Sequence, residues 1–418
     1  MMIPSSSSAL GIMTTQTEGE PPFMNRDFYR KICLIGQQAG LNVFVFTPQG
    51  VSETDNVVKG YGFDAEARRW IGRNYARPDL VYDRCFFTSR RQAAEYREAV
   101  RRLRKPPAAL FLGYGLRGKW DVQHMLERDG RFVSHLPQTE PMRSVRSAAE
   151  WLKRHGELVL KPQAGSQGRG VLHVRRGAAA ARPGVGPVAP EGTANAEPAF
   201  AVRGRDARNR PVACSFDSAA ALLRWLRRFT AQRDYLLQRY LPLHNQNGEA
   251  YDVRSLVQKD GTGRWQVTGI AVRKGQGGSL TSNLHGGGSA EPALPFLTAQ
   301  FGAETAARIA AELERLSRLL PAALEQSHGR LAELGIDFGV DTGGHIWILE
   351  VNSKPGRSIF TYLHDDRARF NALANPIKYA RYLLRNTRAG TPNLSLRPAP
   401  AAAKSHHGPP DHEALLMK

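Results

Sequence analysis

The sequence predicts an α+β protein with a small α/β unit ahead of two hairpin-like segments, and three observations predict it. Residues 335–356, GIDFGVDTGGHIWILEVNSKPG, read as a β-hairpin. Residues 158–174, LVLKPQAGSQGRGVLHV, read as a strand, a glycine-rich loop and a second strand. Upstream of both, the apolar run Val43-Phe44-Val45-Phe46 lies among stretches with helical spacing, the pattern of an α/β unit.

The hairpin is the most informative stretch. Asp341-Thr342-Gly343-Gly344 is turn chemistry, because Gly tolerates the positive φ of tight hairpins. An even-length loop across Thr342-Gly343 pairs Val340 with His345 and Asp337 with Ile348. Period-two alternation then places Ile348, Glu350 and Asn352 on the face of Asp337. Two carboxylates and a carboxamide converge there, all oxygen ligands suited to Mg²⁺. An odd-length loop would flip the parity. The competing readings are a solvated polar face or capping of a following helix.

In the second segment, Leu158-Val159-Leu160 runs into Lys161, and Gly165, Gly168 and Gly170 punctuate the loop. Glycines let backbone N–H groups approach phosphate oxygens without a Cβ clash, and Lys161 adds positive charge at the entrance. A flexible hairpin has the same appearance.

Together with GKWDV, YLLQRYLPL, YDVRSLVQ and VRKGQGGSLTSNLHGGG, in that order, these segments resemble the ATP-grasp superfamily, specifically its YheC/YheD family associated with the endospore coat. The resemblance covers residues 118–384. It implies an ATP-grasp fold, two α+β lobes clasping ATP. Lys119 and Lys161 are then the phosphate lysines, and Gly165, Ser166, Gln167, Gly168 and Gly170 form the loop closing over the phosphates. Gln238, Arg239, Tyr240 and Leu241 match the adenine-reading hinge, with Gln238 where relatives often carry Glu. Asp252 and Arg254 match polar groups beside the nucleotide or substrate, and Arg273 and Asn283 face the transferred phosphate and second substrate. His285 shares the loop of Asn283 and is a further candidate for contact with the substrate. Asp337, Glu350 and Asn352 match the Mg²⁺ ligands of two ions, with Mn²⁺ as an alternative. Some ATP-grasp ligases carry Arg two residues before the first metal Asp; Gly335 stands there, leaving charge stabilisation to Arg273 or Arg254. The implied activity is ADP-forming carboxylate–amine ligation. The alternatives are a nucleotide-binding coat scaffold with little turnover, or a kinase of a small hydroxylated substrate.

Residues 113–119 spell G-x-x-x-x-G-K, but Trp120 stands where a P-loop needs Ser or Thr for Mg²⁺. Cys33, Cys85 and Cys214 are scattered, which points to reduced thiols instead of zinc or a disulfide framework. His406, His407 and His412 lie in a Pro/Ala-rich stretch and give only a weak metal signal. The 58 basic against 38 acidic side chains give +20, with Arg-rich clusters at 97–105 and 224–239. Both clusters lie on helically spaced stretches and read as solvated faces, with ATP and an acidic carboxylate substrate as the next reading. No recognised nucleic-acid motif, long apolar run or secretory signal appears, so a cytoplasmic location, or the spore surface, is expected.

The expected organisation is a disordered leader at 1–24, an α/β unit at 25–112, the grasp at 113–387 with an Ala/Pro/Gly-rich insertion at 177–211, and a disordered tail at 388–418. Helices are expected at 64–73, 90–104, 119–130, 147–155 and 304–320, the last ended or kinked by Pro321.

Overall fold

The structure is a computed structural model. It describes residues 8–87, 89–165, 168–177, 198–275, 288–357, 359–362 and 365–388.

Three sheets organise the chain. The first has the order β4 (Arg69–Ala76), β3 (Val57–Asp64), β2 (Asn42–Val51), β1 (Ala9–Met13), β5 (Leu80–Asp83), β6 (Leu110–Phe111). β1 pairs in parallel with β2 and β5, and β5 with β6, while β3 and β4 form an antiparallel extension. Helix α1 (Arg26–Gln38) packs on one face and α2 (Arg90–Leu103), capped by Ser89, on the other.

Two expectations fail in this unit. The leader contains β1, the central strand, with Leu10, Ile12 and Met13 wholly buried. The five-residue run Ala-Leu-Gly-Ile-Met is long enough for a buried strand, and the Ser/Thr-rich composition around it hides the signal. Residues 64–73 are a hairpin turn and strand, not a helix. Asp64 Oδ1 accepts from the backbone of Glu66 and Ala67, and Arg68 takes φ 50°, which reverses the chain.

Loop 113–118 leads into α3 (Lys119–Asp129), which follows the expected span. Two of its N–H groups are committed elsewhere: Tyr114 donates to Arg330 O at 2.8 Å and Leu116 to Ser353 Oγ at 2.8 Å. They do not form a phosphate nest.

The second sheet is antiparallel, in the order β11 (Pro211–Phe216), β10 (Phe200–Arg205), β9 (Leu172–Arg176), β8 (Glu157–Pro162), β12 (Tyr235–Gln238), β7 (Thr139–Pro141). Helices α4 (Val145–His155) and α5 (Ala219–Thr230) bury Trp151, Leu152, Leu222 and Leu226 against one face, while the arginines of α5 stay outside. The expected 177–211 insertion is therefore partly sheet: residues 200–211 supply β10 and the start of β11, and 178–197 lie outside the described residues.

The third sheet has the order β15 (Ser289–Pro292), β14 (Trp265–Lys274), β13 (Tyr251–Lys259), β16 (Glu333–Val340), β17 (Ile346–Asn352). Helices α6 (Ala293–Phe301) and α7 (Ala303–His328) cover one face with Ile309, Leu313, Leu316, Leu320 and Leu324. Pro321 sits inside α7 and does not end it. A mid-helix Pro costs roughly 3 kcal/mol, but Leu320, Pro321, Ala323 and Leu324 are buried against the sheet, and their apolar burial offsets that loss. Short α8 (Ile359–Tyr362) and long α9 (Asp366–Arg388) cover part of the other face through Phe360, Ala368 and Ala372. The tail beyond residue 388 is outside the described residues.

Candidate active site

The uncovered part of the third sheet's second face carries the polar groups. On β13, alternation puts Asp252 and Arg254 on this face while Val253 enters the core. Arg273 on β14 is directly opposite Asp252, and Asp337 on β16 is directly opposite Arg254. Glu350 on β17 is opposite Asp337, and Asn352 opposite Gly335. One row across three strands thus reads Arg254, Asp337, Glu350.

That row depends on a bulge. Val340 pairs with Ile346, and Asp341 N donates to His345 O at 3.0 Å, so the loop has three residues and odd parity. The expected pairs Val340–His345 and Asp337–Ile348 are wrong. Asp341 Oδ1 accepts from the N–H groups of Gly343 and His345, at 3.0 Å each, and this closes the longer turn. The register then shifts once more between Phe338 and Asp337, leaving Leu349 unpaired on β17. Two parity changes cancel, so Glu350 and Asn352 do return to the Asp337 face. Ile348 does not: it lies opposite Phe338 in the core.

The charges are densely paired. Arg254 makes a two-pronged pair with Asp337, Nε to Oδ1 and Nη2 to Oδ2, the latter at 3.0 Å. Arg273 holds Asp252 through two bonds of 2.6 Å and also reaches Asp337 Oδ1 at 3.0 Å. Burial pushes the Asp337 carboxyl up, but the two guanidiniums outweigh it and hold it below the ordinary carboxylate value. Lys119, at the start of α3, lies 3.2 Å from Glu350 Oε2, with both side chains about a quarter exposed.

Lys161, from the second sheet, joins the same field. Burial and the neighbouring Lys119 charge push its ammonium down to about 8, against the pull of Glu350 and Asp337. A cavity of about 350 Å³ lies between the lobes and is lined by Lys119, Gln163, Gly165, Leu349, Glu350 and Asn352, among others. The loop after Lys161 shows why glycine is needed: Gly165, Gly168 and Gly170 take φ of 129°, 68° and 77°. Ser166 and Gln167 are outside the described residues, as are Asn283 and His285.

The hinge residues Gln238 to Leu241 do not line this cavity. Gln238 is buried at the end of β12, and its Nε2 donates to Thr139 Oγ1 at 2.9 Å, which orients the carboxamide. Arg239 N donates to Gln138 O at 2.9 Å. Tyr240 stacks on His173 with centroids 4.1 Å apart, and Leu241 is buried. Cys33 and Cys85 are buried free thiols, and Cys214 is free and partly buried.

Sequence reasoning missed Leu349. Its signal was present, since Ile346-Trp347-Ile348-Leu349 breaks strict alternation just before Glu350. It also missed a buried cluster where Arg84 and Arg357 share Glu333, because residues some 250 positions apart give no local signature. Among the described residues, no helix is long and apolar enough to cross a membrane.

The chain is 26% identical over 376 residues to the endospore coat-associated protein YheC of Bacillus subtilis (strain 168), covering 90% of this chain and 95% of that one. It is 26% identical over 372 residues to the endospore coat-associated protein YheD of the same strain, covering 87% and 76%. The D-alanine–D-alanine ligase from Coxiella burnetii superposes with a TM-score of 0.48 at 10% identity, covering 92% of this chain and 98% of that one. The YheC/D-like ATP-grasp family matches residues 108–383, which span both the glycine loop and the Arg254–Asp337–Glu350 row, and the chain belongs to that family.

Proposed function

We propose that this protein is an ATP- and Mg²⁺-dependent ligase that activates a carboxylate as an acyl phosphate for attack by an amine. The observation that carries this reading is the convergence of Lys119, Lys161, Arg254 and Arg273 on the oxygen groups of Asp337, Glu350 and Asn352. Phosphoryl transfer asks a protein mainly for positioning and charge stabilisation, and these groups supply both without a side-chain nucleophile.

The donor set fits Mg²⁺. Glu350 and Asn352 line the cavity, with Asp337 opposite Glu350, and all offer hard oxygens. Among the described residues no group of three or more His, Cys, Asp and Glu gathers to hold a metal. That suits an ion held by one or two carboxylates and by substrate phosphates. Both Asp337 oxygens accept from arginines, so its share in holding the ion requires release of one such contact. When bound with ATP, Mg²⁺ neutralises charge on the phosphates and polarises the γ-phosphorus.

The chain's own residues have these roles. Lys119 and Lys161 hold the phosphates, the loop with Gly165 and Gly168 covers them, and Leu349 supplies an apolar wall for the base. By the family match Gln238, Arg239, Tyr240 and Leu241 serve the base end from beyond the cavity, and Asp252 holds Arg273 in place. Arg273 and Arg254 stabilise charge as a substrate carboxylate oxygen attacks the γ-phosphorus and ADP departs. An amine then attacks the acyl carbon, phosphate leaves, and the amine's proton passes to solvent. Asn283 contacts the substrate. A place at an endospore coat extends from the relatives' names.

The double arginine hold on Asp337 favours one second reading, a nucleotide-binding protein with little turnover. Calorimetry of ATP with and without Mg²⁺, on wild type and Glu350→Ala, separates the two when joined to an ADP-release assay with added carboxylates and amines. The ligase reading expects Mg²⁺-enhanced binding that the variant loses, and ADP release that needs the amine. Binding without amine-dependent ADP release leaves the second reading.

A further inference from the structure

The positive charge of the chain is concentrated in one lobe. Residues 139–240 hold 18 basic against 8 acidic side chains, so a quarter of the chain carries half of the +20. Helix α5 shows the excess most plainly. Leu222 and Leu226 are buried against the second sheet, and Arg224, Arg227 and Arg228 stand exposed on the opposite stripe. The helix contains no acidic residue, and among the described residues none of these three arginines makes an ion pair. Helix α4 packs beside α5 over the same sheet and adds exposed Arg146 and Lys153, with Glu150 as its one acid. Its Arg154 is taken up by Glu140 at 3.5 Å.

Other helices of the same chain balance their exposed arginines. On α2, Arg91 pairs with Glu95 at 2.9 Å and Arg101 with Glu98 at 2.7 Å. On α7, Arg315 pairs with Glu312 at 2.6 Å and Arg318 with Glu314 at 2.5 Å. Like charges three and four residues apart repel, so the α5 stripe carries a repulsion that those helices avoid. The negative helix C-terminus accounts for Arg227 and Arg228 in the last turn, but Arg224 lies a turn earlier. The chemistry of the face also limits its partner. Among the described residues, no large exposed apolar side chain belongs to α4 or α5. The face therefore has no group to insert into a membrane and no apolar centre for a protein partner. Trp225 and Phe229 stack with centroids 5.0 Å apart and pack against the buried cluster, which leaves no ring for an unpaired base.

We propose that the outer face of α4 and α5 binds the phosphate backbone of a double-stranded nucleic acid without reading its sequence. A stripe of guanidiniums matches a row of phosphates, and backbone contact needs neither apolar insertion nor base stacking. The face is separate from the ATP cavity. Leu158 and Leu160 of β8 point to the helices, and alternation turns Lys161 to the other side of the sheet. The proposal is therefore independent of the ligase reading.

Fluorescence anisotropy of a labelled DNA duplex of random sequence, titrated with the full chain at 50, 100 and 200 mM KCl, tests the face. Five phosphate contacts give a log–log salt slope of about −4.5, so affinity is expected to fall by roughly 500-fold across that range. Arg224→Gln/Arg227→Gln/Arg228→Gln is expected to flatten the slope to about −2 and to weaken binding at 50 mM by at least about tenfold. Gln forms helix nearly as well as Arg, and an unchanged Tm confirms that this variant folds. Lys59→Gln/Arg69→Gln/Arg73→Gln removes the same charge from exposed positions of the first sheet and is expected to keep the wild-type slope and affinity. No binding by wild type at 50 mM KCl overturns the proposal, as do equal losses in the two variants. Tighter binding of the single strand, or displacement of the duplex by poly-glutamate at equal charge, overturns it as well.

Discussion

Arg254 reaches Asp337 by passing over the bare α-carbon of Gly335. A Cβ there would lie 3.1 Å from Arg254 Nη1 and 2.9 Å from Pro355 Cβ. The position two residues before Asp337 therefore carries no side chain because a guanidinium from the neighbouring strand fills its space. Gly335→Ala is expected to displace Arg254 or Pro355 at a cost of about 1–3 kcal/mol, as overpacking does. Thermal denaturation reads this, and a wild-type Tm would show that the space is not shared.

Lys161 gives two pH dependences of opposite sign. Its ammonium titrates near 8 in the folded chain, against 10.5 ordinarily. Between those values the unfolded chain holds a proton that the fold does not, so this group's contribution to stability rises with pH. ATP binding needs the ammonium, so affinity is expected to fall by roughly tenfold per pH unit above 8. Calorimetry at pH 7, 8 and 9 on wild type and Lys161→Arg checks this, since a guanidinium stays charged throughout. Parallel pH profiles for the two proteins would rule Lys161 out.

Leu349 is an extra residue in its ladder and lines the cavity. Leu349→Ala should weaken ATP by roughly 1–2 kcal/mol of lost apolar contact, with the Mg²⁺ enhancement preserved. Titrations in Mg²⁺ and in chelator read both quantities, and equal affinity for wild type and variant would place the base elsewhere.

Among the described residues, Glu333 is the sole carboxylate bonded to both Arg84 and Arg357. Burial pushes its carboxyl up, and the two guanidiniums hold it below the ordinary value in spite of that. Glu333→Gln leaves two buried cations without a counter-charge, with an expected loss of about 3–5 kcal/mol. Urea denaturation measures it. A loss below 1 kcal/mol would mean the cluster is solvated.

The hairpin shows what the sequence could and could not disclose. Turn chemistry at Asp341 to Gly344 and the carboxylates after it were legible, because both are local. Loop length was not, because Asp341 captures two N–H groups and lengthens the turn by one residue. The face was still right, through a bulge at Leu349 that no alternation rule anticipates. Residues 64–73 misled for a similar reason: charged residues at helical spacing also suit an exposed antiparallel strand, and only Arg68 at positive φ marks the reversal. Pairings such as Arg273 with Asp252, or Lys161 in the field of Glu350, depend on strand register and lobe placement, which no window of sequence contains.

Helix α9 has a consequence for how the chain is made. Ile377, Tyr379, Ala380, Leu383 and Leu384 complete the same apolar cluster as Leu10, Ile12, Tyr29, Ile32 and Val43. One face of the first sheet therefore stays unsealed while the ribosome works through more than 330 further residues. This unit is synthesised well before the helix that completes its cover, and a nascent chain halted before residue 377 would carry an incompletely covered apolar face suited to chaperone capture.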